Sequence, residues 1–289
     1  MLATQATQEL DQIQRTSRLG VRFWDLVYER YVNDGLLVTA TAVDVPSLPR
    51  IALPNRAGGF GFRTLPGLRD SEFGAGDSPF WASHPVHREY LIRMTDTHER
   101  FLPISFRALA PHPDWFTPPG GNHPFPGPDR SIPLFRNPTW SKPAGTVAVR
   151  GDLWDLGANT PAAWAFVQIR LSTAIGSAVA QGLADPDGRF VAAFPQSHPL
   201  VREVRLSRGS DNGVSETPSW TLELAVFYRR LTGDRTPPEI SQIFRHPQAT
   251  VIDPPLLLGR GEAWNPESGV DLRLRSLNDP LGRVMIRPA

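Results

Sequence analysis

Histidine is the residue type in this chain best suited to metal or acid–base chemistry, and it clusters once, in His84-Pro85-Val86-His87 with His98 and Glu99 downstream. Two imidazoles and a carboxylate are what zinc takes. Pro85 between the first two prevents the i, i+4 helical face of a metalloprotease, and no third ligand stands at a diagnostic spacing, so these read as solvated loop histidines. Gly58-Gly59-Phe60-Gly61 has the glycine content of a phosphate loop but lacks the Lys-Ser/Thr ending and a following helix. It reads as a turn. Asp25, Asp155, Asp185 and Asp187 are oxygen donors suited to calcium or to paired-carboxylate hydrolysis, yet Asp185-Pro186-Asp187-Gly188 is equally the sequence of a type I turn. There is no G-x-S-x-G elbow, and cysteine is absent, which removes thiolate nucleophiles, thiolate metal sites and disulfides together. The expectation is a protein that is not an enzyme and needs no cofactor or metal.

The remaining candidates are aromatic. Between Pro111 and Pro143 there are ten prolines, with Trp115, Phe116, Phe125, Phe135 and Trp140 interspersed. No strand or helix period survives across them. Large apolar side chains on such a strap either fold back onto a neighbouring module or form an interface with a partner. These five residues are therefore the candidate interface.

Composition narrows the partners. Thirty Lys and Arg against 29 Asp and Glu leave no positive excess for nucleic acid or an anionic membrane. The first twenty residues contain no apolar run of signal-peptide length, and no segment approaches a membrane span. A cytoplasmic location without membrane insertion is expected. Proline (30) and glycine (24) make up nearly a fifth of the 289 residues, which suits short strands and many turns.

Strand-like stretches then organise the chain. Gly20–Leu26 (GVRFWDL) and Leu36–Val45 (LLVTATAVDV) flank a turn at Asn33-Asp34-Gly35, and Tyr90, Ile92 and Met94 alternate with Leu91 and Arg93. Trp154-Asp155-Leu156 stands 130 residues after Trp24-Asp25-Leu26, Asp185 to Gly188 stands 130 after Asn55 to Gly58, and Trp220, Leu222 and Leu224 stand 130 after Tyr90, Ile92 and Met94. A shared offset of this length is a duplicated domain rather than a solenoid. The expected fold is all-β: an N-terminal arm (1–19), a first β-sandwich (20–110), a Pro-rich linker (111–144), a second β-sandwich (145–232) and a C-terminal extension (233–289). Trp24 and Trp154 are expected in the two cores.

The pattern V-x-F-W-D, G-L-L-V-T-A and N-R-x-G-x-F-x-F-x-x-L-P-G-L, over residues 21–68, resembles the carboxypeptidase-regulatory-like, or transthyretin-like, β-sandwich. With Leu65 to Asp70, Phe80-Trp81 and Arg100 to Pro103, the chain is also similar to proteins of phage-tail-like contractile injection systems. Ala163-Trp164-Ala165 and Gly188-Arg189-Phe190 carry the likeness into the second half. The resemblance implies a structural subunit that forms a homo-oligomeric ring and contacts sheath, inner tube, cap or terminator, or baseplate subunits, acting as a cap adaptor or in the baseplate. A ligand- or carbohydrate-binding module is the competing expectation.

Overall fold

The computed structural model describes residues 17, 19–44, 47–66, 88–110, 131–143, 146–173, 176–195, 220–231, 236–237, 239–252, 258–259, 272–276 and 279–289. The fold is almost entirely β. One helical turn, α1 (Ile240–Ile243), is the only α-helix among the described residues.

In the first half, β1 (Gly20–Asp25) pairs antiparallel with β2 (Arg30–Tyr31) and β6 (Gly59–Gly61), and β5 (Leu53–Pro54) lies beyond β6. A second sheet runs β4 (Arg50–Ile51), β3 (Leu36–Ala42), β7 (Arg88–Asp96), β8 (Ile104–Ala110). Period-two alternation decides which faces are buried. Val21 and Phe23 of β1, Val38 and Ala40 of β3, Tyr90, Ile92 and Met94 of β7 and Phe106 of β8 share one core. Phe23 meets Phe60 edge-on at 5.6 Å and Phe106 at 6.5 Å, which ties the two sheets together.

The second half repeats this frame. β10 (Ala148–Asp155) pairs with β11 (Thr160–Pro161) and β14 (Arg189–Ala193), while β12 (Phe166–Thr173) lies between β13 (Gly176–Leu183) and β15 (Trp220–Phe227). The registers Val21 opposite Phe60 and Trp24 opposite Tyr31 return as Gly151 opposite Phe190 and Trp154 opposite Pro161. The offset of 130 holds there. It fails on the next strand: Tyr90, Ile92 and Met94 face Ala42, Ala40 and Val38, whereas the corresponding inward triplet facing Leu171, Ile169 and Val167 is Leu222, Leu224 and Val226. A slip of two residues keeps every side chain on its face, so inward parity survives although the sequence spacing does not.

Both segments flanking these frames belong to them. β9 (Ile132–Leu134), at the end of the expected linker, pairs parallel with β1, placing Phe23, Trp24 and Asp25 opposite Ile132, Pro133 and Leu134. β19 (Val284–Arg287), at the end of the expected extension, pairs parallel with β10 in the same way, Leu153 opposite Val284 and Asp155 opposite Ile286. β16 (Thr250–Val251) and β18 (Leu272–Arg273) join the same sheet, and β17 (Leu258–Gly259) borders β15.

An aromatic seam joins the halves. The Phe166 ring lies 5.9 Å from Phe135, 5.1 Å from Phe244 and 5.9 Å from Phe227, and Ile240 and Ile243 of α1 are buried in the core cluster of the first half. Arg107 on β8 pairs with Glu239 at 2.7 Å, and the Arg150 guanidinium donates to the carbonyls of Pro138 and Trp140.

Candidate interaction surface

The aspartates chosen from the sequence are structural. Asp25 Oδ1 accepts from the Val27 and Tyr28 amides at 3.0 and 3.3 Å, bracing the turn after β1, and its Oδ2 accepts from the Arg136 guanidinium. Asp155 repeats the turn, accepting from Gly157 and Ala158 at 2.9 and 3.1 Å, but its cation is Arg230 at 2.6 Å. The Arg230 hydrogen bonds hold the Asp155 carboxyl below the usual carboxylate range. Asp185 Oδ1 takes the amides of Asp187 and Arg189, as Asn55 Oδ1 takes those of Ala57 and Gly59. Gly58 and Gly188 adopt φ of +75° and +78° at these turns, so the glycine cluster closes a hairpin. Each oxygen set is thus committed to backbone amides or a guanidinium.

Among the described residues no three His, Cys, Asp or Glu side chains gather around a metal-sized space. His84 and His87 lie outside the described residues. His98 sits beside the Gly35 turn, its amide donating to Asp96. His246, which the sequence reading passed over, is buried, and burial followed by the Arg229 cation lowers its pKa to about 4.

Of the five strap aromatics, Trp115, Phe116 and Phe125 lie outside the described residues. Phe135 is not at a surface: it is wholly buried in the seam, because β9 carries the strap back against β1. Trp140 is half-buried, with the Arg136 guanidinium 4.5 Å from its ring. Arg136 itself is 5% exposed and also lies over Phe101 and Tyr28. Its guanidinium pKa is lowered by burial and supported by Asp25 and Tyr28. Trp24 and Trp154 are outward and half-buried, not core. Phe23 and Leu153 take the inward positions, Tyr31 packs edge-on to Trp24, and Arg283 lies 4.3 Å over Trp154.

Four of the exposed large apolar side chains among the described residues, Val43, Leu48, Ile51 and Leu53, lie on the chain between β3 and β6. Leu48 is 81% exposed, Ile51 62% and Leu53 43%. β4 ends one sheet of the first half and β5 ends the other, with buried Ala52 as the pivot where the chain changes sheets. Pro49, Arg50, Ile51, Leu53, Arg63 and Thr64 line an open concavity of about 400 Å³ there. Neither Arg50 nor Arg63 makes an ion pair or a hydrogen bond with its side chain among the described residues. In the second half β13 runs unbroken for eight residues along β12 and reaches β14 through Gln181 opposite Ala193. The first half has only two dipeptides in the corresponding place, flanked by Pro49 and ended by Pro54, neither of which has an amide hydrogen. Among the described residues its two sheets therefore keep a short free edge where those of the second half are joined.

No protein-family model, curated protein or solved structure matches the chain. No described helix is long and apolar enough to cross a membrane.

Proposed function

We propose that the chain is a non-enzymatic structural subunit of a contractile, phage-tail-like particle, a cap adaptor that joins sheath and inner tube to the terminal cap. On this reading its halves are tandem transthyretin-like sandwiches fixed as one spacer, assembled as a homo-oligomeric ring in the cytoplasm. A place in the baseplate of the same particle is the alternative position.

The observation that carries the reading is the division of labour among side chains. The carboxylates best placed for chemistry brace turns, while exposed Ile51 and Leu53 and the guanidiniums of Arg50 and Arg63, uncommitted among the described residues, share one sheet edge. Such an edge recruits another chain through backbone hydrogen bonds and alternate side chains. The packed aromatic seam around Phe166 supports a spacer role, since separating the halves would expose these rings. A carbohydrate-binding module would draw on outward aromatic faces such as Trp24 and Trp154, but Arg283 already occupies the Trp154 ring.

Affinity purification of the tagged protein from its own host, with mass spectrometry and negative-stain microscopy, tests this. Recovery with sheath, tube and terminator subunits in tail-like particles is expected. Recovery of the chain alone would refute it.

A further inference from the structure

A segment of the same chain complements the β4–β5 edge in sequence. Ser17 lies beside β6: its Oγ accepts from the Phe62 amide at 3.0 Å and donates to the Leu19 carbonyl at 2.7 Å. Phe62 immediately precedes Arg63 and Thr64 of the concavity. Sixteen residues precede Ser17 in the sequence and lie outside the described residues. Among them is Glu9-Leu10-Asp11-Gln12-Ile13. Taken as a strand, this pentapeptide places Glu9, Asp11 and Ile13 on one face. Two carboxylates and an isoleucine complement the guanidiniums of Arg50 and Arg63, unpaired among the described residues and set among Ile51 and Leu53.

We propose that residues 9–13 of a second copy add as a strand to the β4–β5 edge, with Glu9 and Asp11 paired to Arg50 and Arg63. The occupant is taken from another copy because the assembly reading calls for a contact that repeats from one subunit to the next. Glu9 stands eight positions before Ser17, a reach of up to about 28 Å when extended. Pro49 and Pro54 restrict pairing to a short stretch, so side-chain charge rather than indiscriminate strand addition sets the choice of partner. A contact of arm into edge joins two different surfaces and propagates around a closed ring. The inference rests on the assembly reading above but concerns only the contact between like subunits.

The test is the mass of the purified full-length chain by sedimentation velocity over about a hundredfold range of concentration, in low salt. The expected result is a concentration-dependent oligomer that dissociates as salt rises. Arg50→Glu with Arg63→Glu is expected to weaken association at least tenfold with an unchanged melting temperature, since both side chains are exposed. Adding Glu9→Arg and Asp11→Arg to that variant restores it. Arg93→Glu, on the exposed face of β7, leaves the wild-type oligomer intact. A synthetic peptide of residues 5–16 dissociates the wild-type oligomer where a scrambled peptide does not, which keeps the test valid should the charge variants fold poorly. A full-length chain that stays monomeric throughout, or an oligomer indifferent to both the reversals and the peptide, overturns the inference. Host purification reports separately on the particle, so either claim can fail alone.

Discussion

Removing the Arg136 guanidinium while keeping Asp25 should be among the most damaging single changes in the first half. The side chains of Arg136 and Asp25 are 5% and 2% exposed, so water cannot take over for the missing partner. In Arg136→Leu the carboxylate keeps its two turn amides but loses its only cation among the described residues, and Tyr28, Phe101 and Trp140 lose the Arg136 charge over their rings. Leaving a buried charge unpaired costs about 3–5 kcal/mol, and leucine fills part of the vacated volume, so we expect a loss in that range. Urea denaturation followed by tryptophan fluorescence reads it as a shift of the midpoint at constant slope. Asp25→Asn combined with Arg136→Leu should recover much of the loss, since the cost lies in the orphaned charge rather than in the missing attraction. Arg230→Leu, the change at the matching Asp155, should cost far less, because Arg230 is half exposed and water replaces it. A loss below about 1 kcal/mol in Arg136→Leu, or one no larger than in Arg230→Leu, would refute the reasoning.

Phe166→Ala should cost about 3–5 kcal/mol and turn a single unfolding transition into two by calorimetry, because its ring contacts Phe135 and Phe244 across the seam as well as its ladder partner Phe227. Two transitions already present in the wild type would contradict the account of the seam. Gly188→Ala should prevent folding or lower the melting temperature severely, since a Cβ there meets the Leu153 carbonyl, whereas Gly282→Ala, with open space and a similar φ, should cost only about 1 kcal/mol. Equal effects would sink that distinction. His246 has a folded-state pKa of about 4, below its ordinary 6.5, so the fold holds the neutral ring. Its contribution is complete above pH 6.5 and is lost as pH falls toward 4, by roughly 3 kcal/mol in all. His246→Phe should flatten stability over that window, and an unchanged pH dependence would show that other groups set it.

Much of the frame was legible where local rules decide. The alternation in Leu36–Ala42 and Arg88–Asp96 marked inward and outward positions, and Asn55 and Asp185 announced their turns through Asx chemistry. The two tryptophans were misplaced because Phe23-Trp24 and Leu153-Trp154 are adjacent apolar pairs, and a period of two cannot say which member faces in. The partners of β9 and β19 were hidden for another reason. Each is short, β9 has Pro133 at its centre, and each pairs with a strand more than 100 residues away, so the roles of the linker and the tail were invisible in local pattern. Arg136 became recognisable only once β9 brought it to Asp25. The free edge likewise follows from topology: nothing in Arg50 to Pro54 alone distinguishes an uncovered dipeptide strand from the start of a longer one like β13.

The central claim is that this chain acts through the β4–β5 edge as a unit of an assembly. Hydrogen–deuterium exchange of residues 50–54, compared between the dilute free chain and the chain within complexes purified from its host, tests that claim most directly. The account predicts that the Ile51 amide, which alternation turns away from β3, exchanges fast in the free chain and becomes strongly protected in the complex, while Ala52, whose amide already donates to the Val38 carbonyl, and strands β12 and β15 change little. Equal exchange in both states would contradict it.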